Sequence, residues 1–302
     1  MDILVGLAAV IVALDGDRPL VRLARGDGTL APALPFGPLD PVRHRTLDSG
    51  LRGWVEDQTG LTLGYVEQLY TFGDKGRDPR ERQGGPRVVS IAYLALTRAA
   101  EAADRDWRDW YDFFPWEDRR DGRPDLLDRA ILPGLAGWAE GAPTGPERTR
   151  RRHRIELAFG ASDAAWDGER ALDRYELLYE AGMVPEAAAS AALPGPAMRL
   201  DHRRILATAI GRLRAKIRYR PVVFELMPET FTLLQLQRAV EALGGERLHK
   251  QNFRRLVEQT GLVEGTGRRE SQTGGRPAEQ FRFRPEVLLE RPAPGVAPRT
   301  RR

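Results

Sequence analysis

The chain has 302 residues, of which 41% are hydrophobic and 30% charged, and it contains no cysteine. This composition is typical of a globular protein of two domains, and it excludes disulfides, cysteine-ligated zinc and thiol catalysis. The net charge of +4 is unevenly distributed: from Arg199 onwards there are 22 Lys and Arg against 11 Asp and Glu, and before it 25 against 32. A basic C-terminal third predicts a phosphate-rich partner for that part of the chain.

The chain opens with an apolar run from Ile3 to Leu14, followed by Asp15-Gly16-Asp17 and a second run from Pro19 to Ala24. A DG turn between two such runs predicts a β-hairpin, and the first strand is apolar on both faces and so is expected to be buried. The run is too short to span a bilayer and is preceded only by Met1-Asp2, which is a poor signal peptide. We therefore expect a cytoplasmic protein without membrane contact.

The next elements predict an α/β sandwich. Thr46 to Thr59 has apolar residues at helical spacing and ends at Gly60, a C-cap residue. Leu61 to Phe72 and Arg87 to Leu96 are predicted strands, and the segment between them, rich in Gly, Asp and Arg, is a predicted loop.

The order of these elements, with LPFG before the helix, QTGL at its end, then VEQLYTFGDKGRDPR and RVVSIAYLAL, resembles the Nudix fold. The hydrolase signature of that superfamily is GX5EX7REUXEEXGU, where U is aliphatic. With Gly60 and Leu61 on its final GU, the metal-binding glutamates are replaced by Trp54, Asp57 and Gln58. Three carboxylates at i, i+3 and i+4 hold the Mg²⁺ ions of the hydrolase, and one Asp cannot supply that charge.

The comparison with the signature therefore predicts a domain with no catalytic residue and no metal site, in a protein that is not an enzyme. Two alternatives stay open: an active Nudix pyrophosphatase acting on ADP-ribose-like substrates, and an unrelated α/β domain.

The segment from Tyr70 to Pro79 resembles the loop that ADP-ribose-type Nudix domains carry beside their ligand. The resemblance implies that Phe72 stacks on an adenine and that Arg77 or Arg87 meets a diphosphate. The predicted ligand-binding residues are Phe72, Asp74, Arg77 and Arg87. The alternative is that Phe72 belongs to the core and that the charges are solvated.

Residues 101–197 match the Nudix resemblance poorly and are predicted to be a mostly helical insert. Six aromatic residues fall within WRDWYDFFPWEDRR, a cluster that indicates core or a subunit interface. Pro194-Gly195-Pro196 marks the best domain boundary. The predicted organisation is α+β, with a Nudix-like ligand-sensing domain in residues 1–100, the insert in 101–197, a DNA-binding domain in 198–290 and a disordered basic tail in 291–302.

The stretch from Pro228 to Phe283 predicts a winged helix-turn-helix. Thr232 is an N-cap ahead of apolar residues at helical spacing, and Gly244-Gly245 ends that helix. A second helix, from about Leu248 to Gln259, carries exposed Lys, Asn and Arg and is followed by a Gly- and Arg-rich hairpin, the wing.

The basic residues of this stretch suggest separate roles on duplex DNA. Asn252, Arg254 and Arg255 are candidates for base edges, because Arg suits guanine and Asn suits adenine. The predicted phosphate contacts are Lys250 on the same helix and Lys216 and Arg218 at the end of a preceding amphipathic helix. Arg276, at the wing tip, is predicted to enter a minor groove or to lie on the backbone. A wing that binds RNA or a protein remains the alternative.

The segment RLRAKIRYRPVVFELMPETFTLLQLQRAVEAL, together with NFRR and GRPAEQFRF, resembles the winged-helix domain of the Nudix-related transcriptional regulators of the NrtR type. The resemblance implies a homodimeric repressor of NAD-biosynthesis genes that binds a palindromic operator. It also implies an effector nucleotide such as NAD, ATP or ADP-ribose, with no cofactor required. The insert of about a hundred residues makes the chain similar to the longer alphaproteobacterial NadQ type.

Overall fold

The computed structural model describes residues 3–25, 31–78, 81, 83–98, 106–160, 165–187, 191, 193–270, 277–287 and 295–296. Three layers can be followed through these residues: one helix, a mixed sheet, and a second helical layer that leads into the C-terminal winged helix. Arg276 and ten of the twelve residues of the predicted tail lie outside the described residues.

The sheet contains six strands, which are β1 Ile3–Asp15, β2 Arg18–Arg22, β3 Phe36–Pro38, β4 Tyr65–Phe72, β5 Arg87–Leu96 and β6 Trp107–Asp109. Their order is β4-β5-β1-β2-β6, with β3 paired to the first half of β1. Only the β1–β5 pair is parallel, and the other four pairs are antiparallel. This is the α/β sandwich that the sequence predicts.

Strand β1 is the centre of the sheet and is buried on both faces, as its apolar run predicts. Leu7, Ala9 and Ile11 point to one hydrophobic cluster, and Ala8 and Val10 point to the other, because successive side chains of a strand alternate. Gly16 makes the β1–β2 turn at φ 62°, a left-handed conformation that glycine adopts at little cost. The predicted hairpin is confirmed.

In the described part of the chain the helices are α1 Leu47–Thr59, α2 Trp110–Phe113, α3 Leu132–Glu140, α4 Gly145–Phe159, α5 Ala171–Glu180, α6 His202–Ile217, α7 Leu233–Gly244 and α8 Lys250–Thr260. Single helical turns precede α3 at Leu127–Ile131, α5 at Gly168–Arg170 and α7 at Val222–Glu225. Helix α1 packs on one face of the sheet, and α6 on the other. Helix α1 begins at Thr46, which forms a capping box, and ends at Gly60 in the left-handed conformation. The sequence predicts both of these bounds. No helix of the described residues is long and apolar enough to cross a membrane.

The aromatic cluster between residues 107 and 116 forms core rather than an exposed interface. Trp107, Trp110, Tyr111, Phe113, Phe114 and Trp116 are all at most 8% exposed. Most of them join one hydrophobic cluster that also contains the inner faces of α5, α6 and α7. The helical segment is therefore fused to both the sheet and the winged helix.

Helix α6 is attached to the sheet by a buried histidine. The backbone N–H of Leu34 donates to His202 Nδ1 at 3.0 Å, and Phe36 packs edge-on against the ring. Burial, together with the charges of Arg77 and Arg199, lowers the pKa of His202 to about 3. The ring is thus neutral at physiological pH.

Two residues of the predicted disordered tail, 295 and 296, lie against the end of α6. Val296 is fully buried, and its N–H donates to the carbonyl of Ile217 at the end of α6. The disordered basic tail in 291–302 stays a prediction, and these two residues are described as packed against the protein.

Candidate nucleic-acid interface and ligand cleft

Helix α8 presents a polar face outward, as a recognition helix requires. Phe253 and Val257 are buried against α7 and the following strand, so the opposite face is free for a partner. Lys250, Asn252, Arg254 and Arg255 are all exposed. Gln251, one turn before Arg255, is exposed on the same outward face. A glutamine can read adenine as asparagine does, so Gln251 is a further candidate that was not predicted from the sequence.

The turn between α7 and α8 is held by a buried polar pair that the sequence analysis also missed. Gln237 Nε2 donates to Glu241 Oε1 at 2.8 Å and to the carbonyl of Leu248 at 2.9 Å. Glu241 accepts from the N–H of Leu248 and from Arg247. Burial raises the pKa of Glu241, but these hydrogen bonds outweigh burial and hold the pKa below its usual value. The i, i+4 spacing of Gln237 and Glu241 in α7 is the sequence pattern that could have predicted this pair.

The wing is a two-stranded hairpin formed by β7 Val263–Glu270 and β8 Ala278–Phe283. Arg268 and Arg269 are exposed near its tip. The base of the wing is tied to the segment before α7, because Phe231 and Phe281 exchange two backbone hydrogen bonds of 2.9 and 2.7 Å. The base of the wing is therefore attached to the residue that precedes the N-cap of α7.

Two predicted phosphate contacts are paired with carboxylates of the protein. Lys216 Nζ forms an ion pair with Glu67 of β4 and lies over the ring of Tyr65. Arg218 Nη1 pairs with Glu169 Oε1 at 2.6 Å. A neutralised side chain attracts a phosphate less than a solvated one. Their role in DNA binding stays a prediction, and this pairing argues against it.

The first helix of the helix-turn-helix is anchored in the helical layer by its C-terminal end. Arg214 Nε of α6 donates to the carbonyl of Leu243 at 3.0 Å, and the Tyr111 hydroxyl donates to the carbonyl of Ala242 at 2.7 Å. Glu117 is fully buried and forms two ion pairs. Its Oε2 lies 2.5 Å from Arg214 Nη1, and its Oε1 lies 2.5 Å from Arg174 Nε. Burial raises the pKa of Glu117, but the two guanidinium charges outweigh burial and lower it. The winged helix is thereby fixed to α5 and α6.

Two residues of α1 at positions where the hydrolase has glutamates form hydrogen bonds to strand β3. Trp54 Nε1 donates to the carbonyl of Pro38 at 2.9 Å. Gln58 both donates to and accepts from the backbone of Phe36, at 2.7 and 3.0 Å. Asp57 is exposed. Among the described residues, no group of three or more His, Cys, Asp or Glu side chains is placed to hold a metal ion.

A cleft of about 460 Å³ opens between the β4–β5 loop, α5 and the start of α6. Of the predicted ligand residues, Asp74 and Arg77 line it. Phe72 is only 1% exposed, so the ring is core and offers no free face for an adenine in this conformation. Arg87 Nη2 donates to the carbonyl of Gly73 at 2.7 Å and supports the loop. The ligand roles of these residues stay predictions.

Comparison with known families and proteins identifies the C-terminal part. Residues 223–283 match the family model of the NrtR DNA-binding winged helix domain. An 86-residue part of the chain is 40% identical to the ADPR responsive transcriptional repressor NtrR of Acinetobacter baylyi. That match covers 28% of this chain and 34% of the relative, so the chain spans about a third of the relative's length.

Solved structures extend the likeness to the fold of almost the whole chain. Shewanella oneidensis NrtR complexed with a 27mer DNA has a TM-score of 0.54 at 20% identity, covering 94% of this chain and 95% of the other. A MutT/nudix family protein from Enterococcus faecalis has a TM-score of 0.55 at 17% identity, covering 94% and 89%. The predicted combination of a Nudix-like domain and a winged helix is confirmed.

Proposed function

Because residues 223–283 match the NrtR DNA-binding winged helix domain and nearly the whole chain shares the fold of the Shewanella NrtR structure, we propose that it is a ligand-responsive transcriptional repressor. The observation that carries this proposal is α8, whose polar, basic face is exposed next to the basic wing while its apolar face is buried. Duplex DNA is the partner of matching charge and shape, since a helix of this kind fits the major groove.

The proposed effector is an adenine nucleotide, with ADP-ribose favoured over NAD and ATP because the Acinetobacter relative is named as ADPR responsive. The proposed regulated genes are those of NAD biosynthesis, and the place of action is the cytoplasm. We also propose that the protein acts as a homodimer on a palindromic operator, because two-fold protein symmetry matches two half-sites. The NadQ subtype stays a prediction from the length of the chain.

The proposal includes a Nudix-like domain that does not hydrolyse its ligand. Trp54 and Gln58 support this, since they stand at positions where the hydrolase needs carboxylates and their side chains donate hydrogen bonds to backbone carbonyls of β3. Incubation with ADP-ribose and Mg²⁺ tests it, and turnover above the uncatalysed rate would return the pyrophosphatase to first place.

The decisive experiment is footprinting on promoter regions of NAD-biosynthesis genes at fixed salt, with and without ADP-ribose. Protection of a specific site, with an affinity that ADP-ribose changes, is the expected result. Arg255→Ala should weaken protection, whereas Arg152→Ala should not, although it removes the same charge from an exposed helix elsewhere. Equal binding to unrelated DNA of the same length would contradict sequence-specific repression, and preference for RNA would favour the alternative.

A further inference from the structure

The cleft between the β4–β5 loop and the helices contains two arginines that are occupied by the protein's own carboxylates. Arg77 contacts Asp201 through one edge of its guanidinium, Nε to Oδ2 at 2.8 Å and Nη2 to Oδ1 at 2.5 Å. Arg204 Nη1 contacts Asp74 Oδ2 at 2.5 Å, and its Nε contacts Glu176 Oε1 at 2.8 Å. Each arginine is therefore bound to a carboxylate of the protein.

Both guanidiniums are held in place from below by one aromatic ring. The carbon of the Arg77 guanidinium lies 5.8 Å from the centre of the Phe72 ring, and that of Arg204 lies 5.6 Å from it. Arg77 also donates to Ser90 Oγ at 2.7 Å and is only 8% exposed. Such fixed planar groups bind carboxylate and phosphate with the same fork geometry. Arg77 and Arg204 can thus bind two neighbouring anionic groups, in a cleft whose lining also includes Glu176, Glu180 and Glu186.

The carboxylate on Arg77 has a competing position within its own helix. Asp201 is the N-cap residue of α6, where an Asp side chain ordinarily accepts from the first free N–H groups. Here it is turned to Arg77 instead. The preceding residue, Leu200, has φ 55° and is the only non-glycine residue with positive φ among those the structure describes. A side chain in this region carries a backbone strain.

We propose that Asp201 and Asp74 occupy the positions of two ligand phosphates, and that the diphosphate of a nucleotide displaces them from Arg77 and Arg204. Asp201 then becomes free to cap α6, and the strain at Leu200 is released. This mechanism rests on the proposed function and adds the regulation of that site. It provides two discrete arrangements of one element, which a ligand needs in order to shift a population.

The other end of α6 carries this change towards the DNA-binding domain. Arg204 is in the cleft, and Arg214, ten residues further along the same helix, is bonded to the last turn of α7. Helix α5 makes a parallel connection, with Glu176 in the cleft and Arg174 on the buried Glu117. A shift at the start of α6 therefore has a direct mechanical path to the helix-turn-helix.

Calorimetric titration of the full-length protein with ADP-ribose tests the proposal. Asp201→Asn removes the competing charge and keeps an N-cap residue, so it should tighten ADP-ribose binding roughly tenfold, the difference between a charged and a neutral hydrogen bond. Arg77→Gln should weaken it at least as much. Asp173→Asn is the matched control, because Asp173 lies on the exposed side of α5, and it should leave affinity unchanged.

Failure of the displacement mechanism and failure of the proposed effector give different experimental results. Unchanged or weaker binding to the Asp201→Asn variant, with wild-type binding intact, would overturn the displacement mechanism and leave the repressor proposal standing. No binding of ADP-ribose to the wild type would overturn the effector assignment and the displacement together. As a second readout, Asp201→Asn without ligand should shift DNA affinity in the direction in which saturating ADP-ribose shifts the wild type. The opposite shift would also overturn it.

Discussion

Replacing Glu117 by Gln tests the charge cluster that joins the winged helix to the rest of the protein. The substitution keeps the shape of the side chain and removes its charge. Glu117 is the common partner of Arg174 and Arg214, and the three side chains are 0–3% exposed. Without the carboxylate, two guanidinium charges stay buried with no anion between them.

The expected cost follows from these contacts. Removing one partner of a buried ion pair destabilises a protein by about 3–5 kcal/mol, because the remaining charge cannot be solvated. Here two cations are affected, but both keep hydrogen bonds to backbone carbonyls: Arg174 to Ala158 and Asp167, Arg214 to Gly168 and Leu243. We therefore expect a loss within that range, which is a large fraction of a typical domain stability of about 5–15 kcal/mol.

Urea denaturation followed by circular dichroism at pH 7 measures this loss. The control is Glu156→Gln, the same change at an exposed position of α4, which should alter the free energy of unfolding by less than about 0.5 kcal/mol. The folded-state pKa of Glu117 is lowered, so its contribution is present above the unfolded pKa of about 4.5 and is lost as the pH falls through the lower folded value. The gap between wild type and variant should therefore narrow in acid.

A loss below about 1 kcal/mol at pH 7 would refute this reasoning, because it would mean that the two arginines are solvated without the carboxylate. A gap that widens in acid would refute the assigned direction of the pKa shift.

Three further changes test the DNA-binding surface and the core. Arg254→Ala should cost about 1–3 kcal/mol at one base pair of the operator, measured with single-base-pair variants, and a uniform loss over all of them would contradict base reading. Lys250→Ala should weaken binding to all DNA sequences alike and reduce the slope of log K against log salt concentration by about one. An unchanged slope would exclude a phosphate contact. Between pH 7 and pH 5 the free energy of unfolding of the wild type should fall by about 2 kcal/mol more than that of His202→Gln. The reason is that histidine in the unfolded chain takes up a proton below about pH 6.5, whereas the buried ring does so only near pH 3. Urea denaturation at the two pH values measures this difference, and His153→Gln, at an exposed position, should behave as the wild type does.

Local patterns account for the elements that the sequence analysis placed correctly. Thr46 and Thr232 cap their helices through side-chain oxygens that bond N–H groups three residues later. Gly60, Gly245 and Gly261 end helices in the left-handed conformation, which glycine adopts without steric cost. These interactions involve neighbours in the chain, and residue order alone determines them. The continuous apolar run likewise predicted that β1 is buried, and the helical spacing of apolar residues predicted that α8 is exposed on its polar face.

The partners of the charged residues were decided only by the tertiary structure. Arg77 meets Asp201 and Lys216 meets Glu67, in each pair across more than a hundred residues. No local pattern predicts such pairs, because they depend on how the sheet, α5 and α6 pack. By itself, the sequence determined the β1–β2 hairpin, helix α1, strands β4 and β5, helices α6 to α8 and the family of the winged-helix domain, but not the short strands β3 and β6. Only the packed chain decided which cations are neutralised inside the protein and which are exposed, since a charge takes its role from the oppositely charged groups within a few ångströms of it.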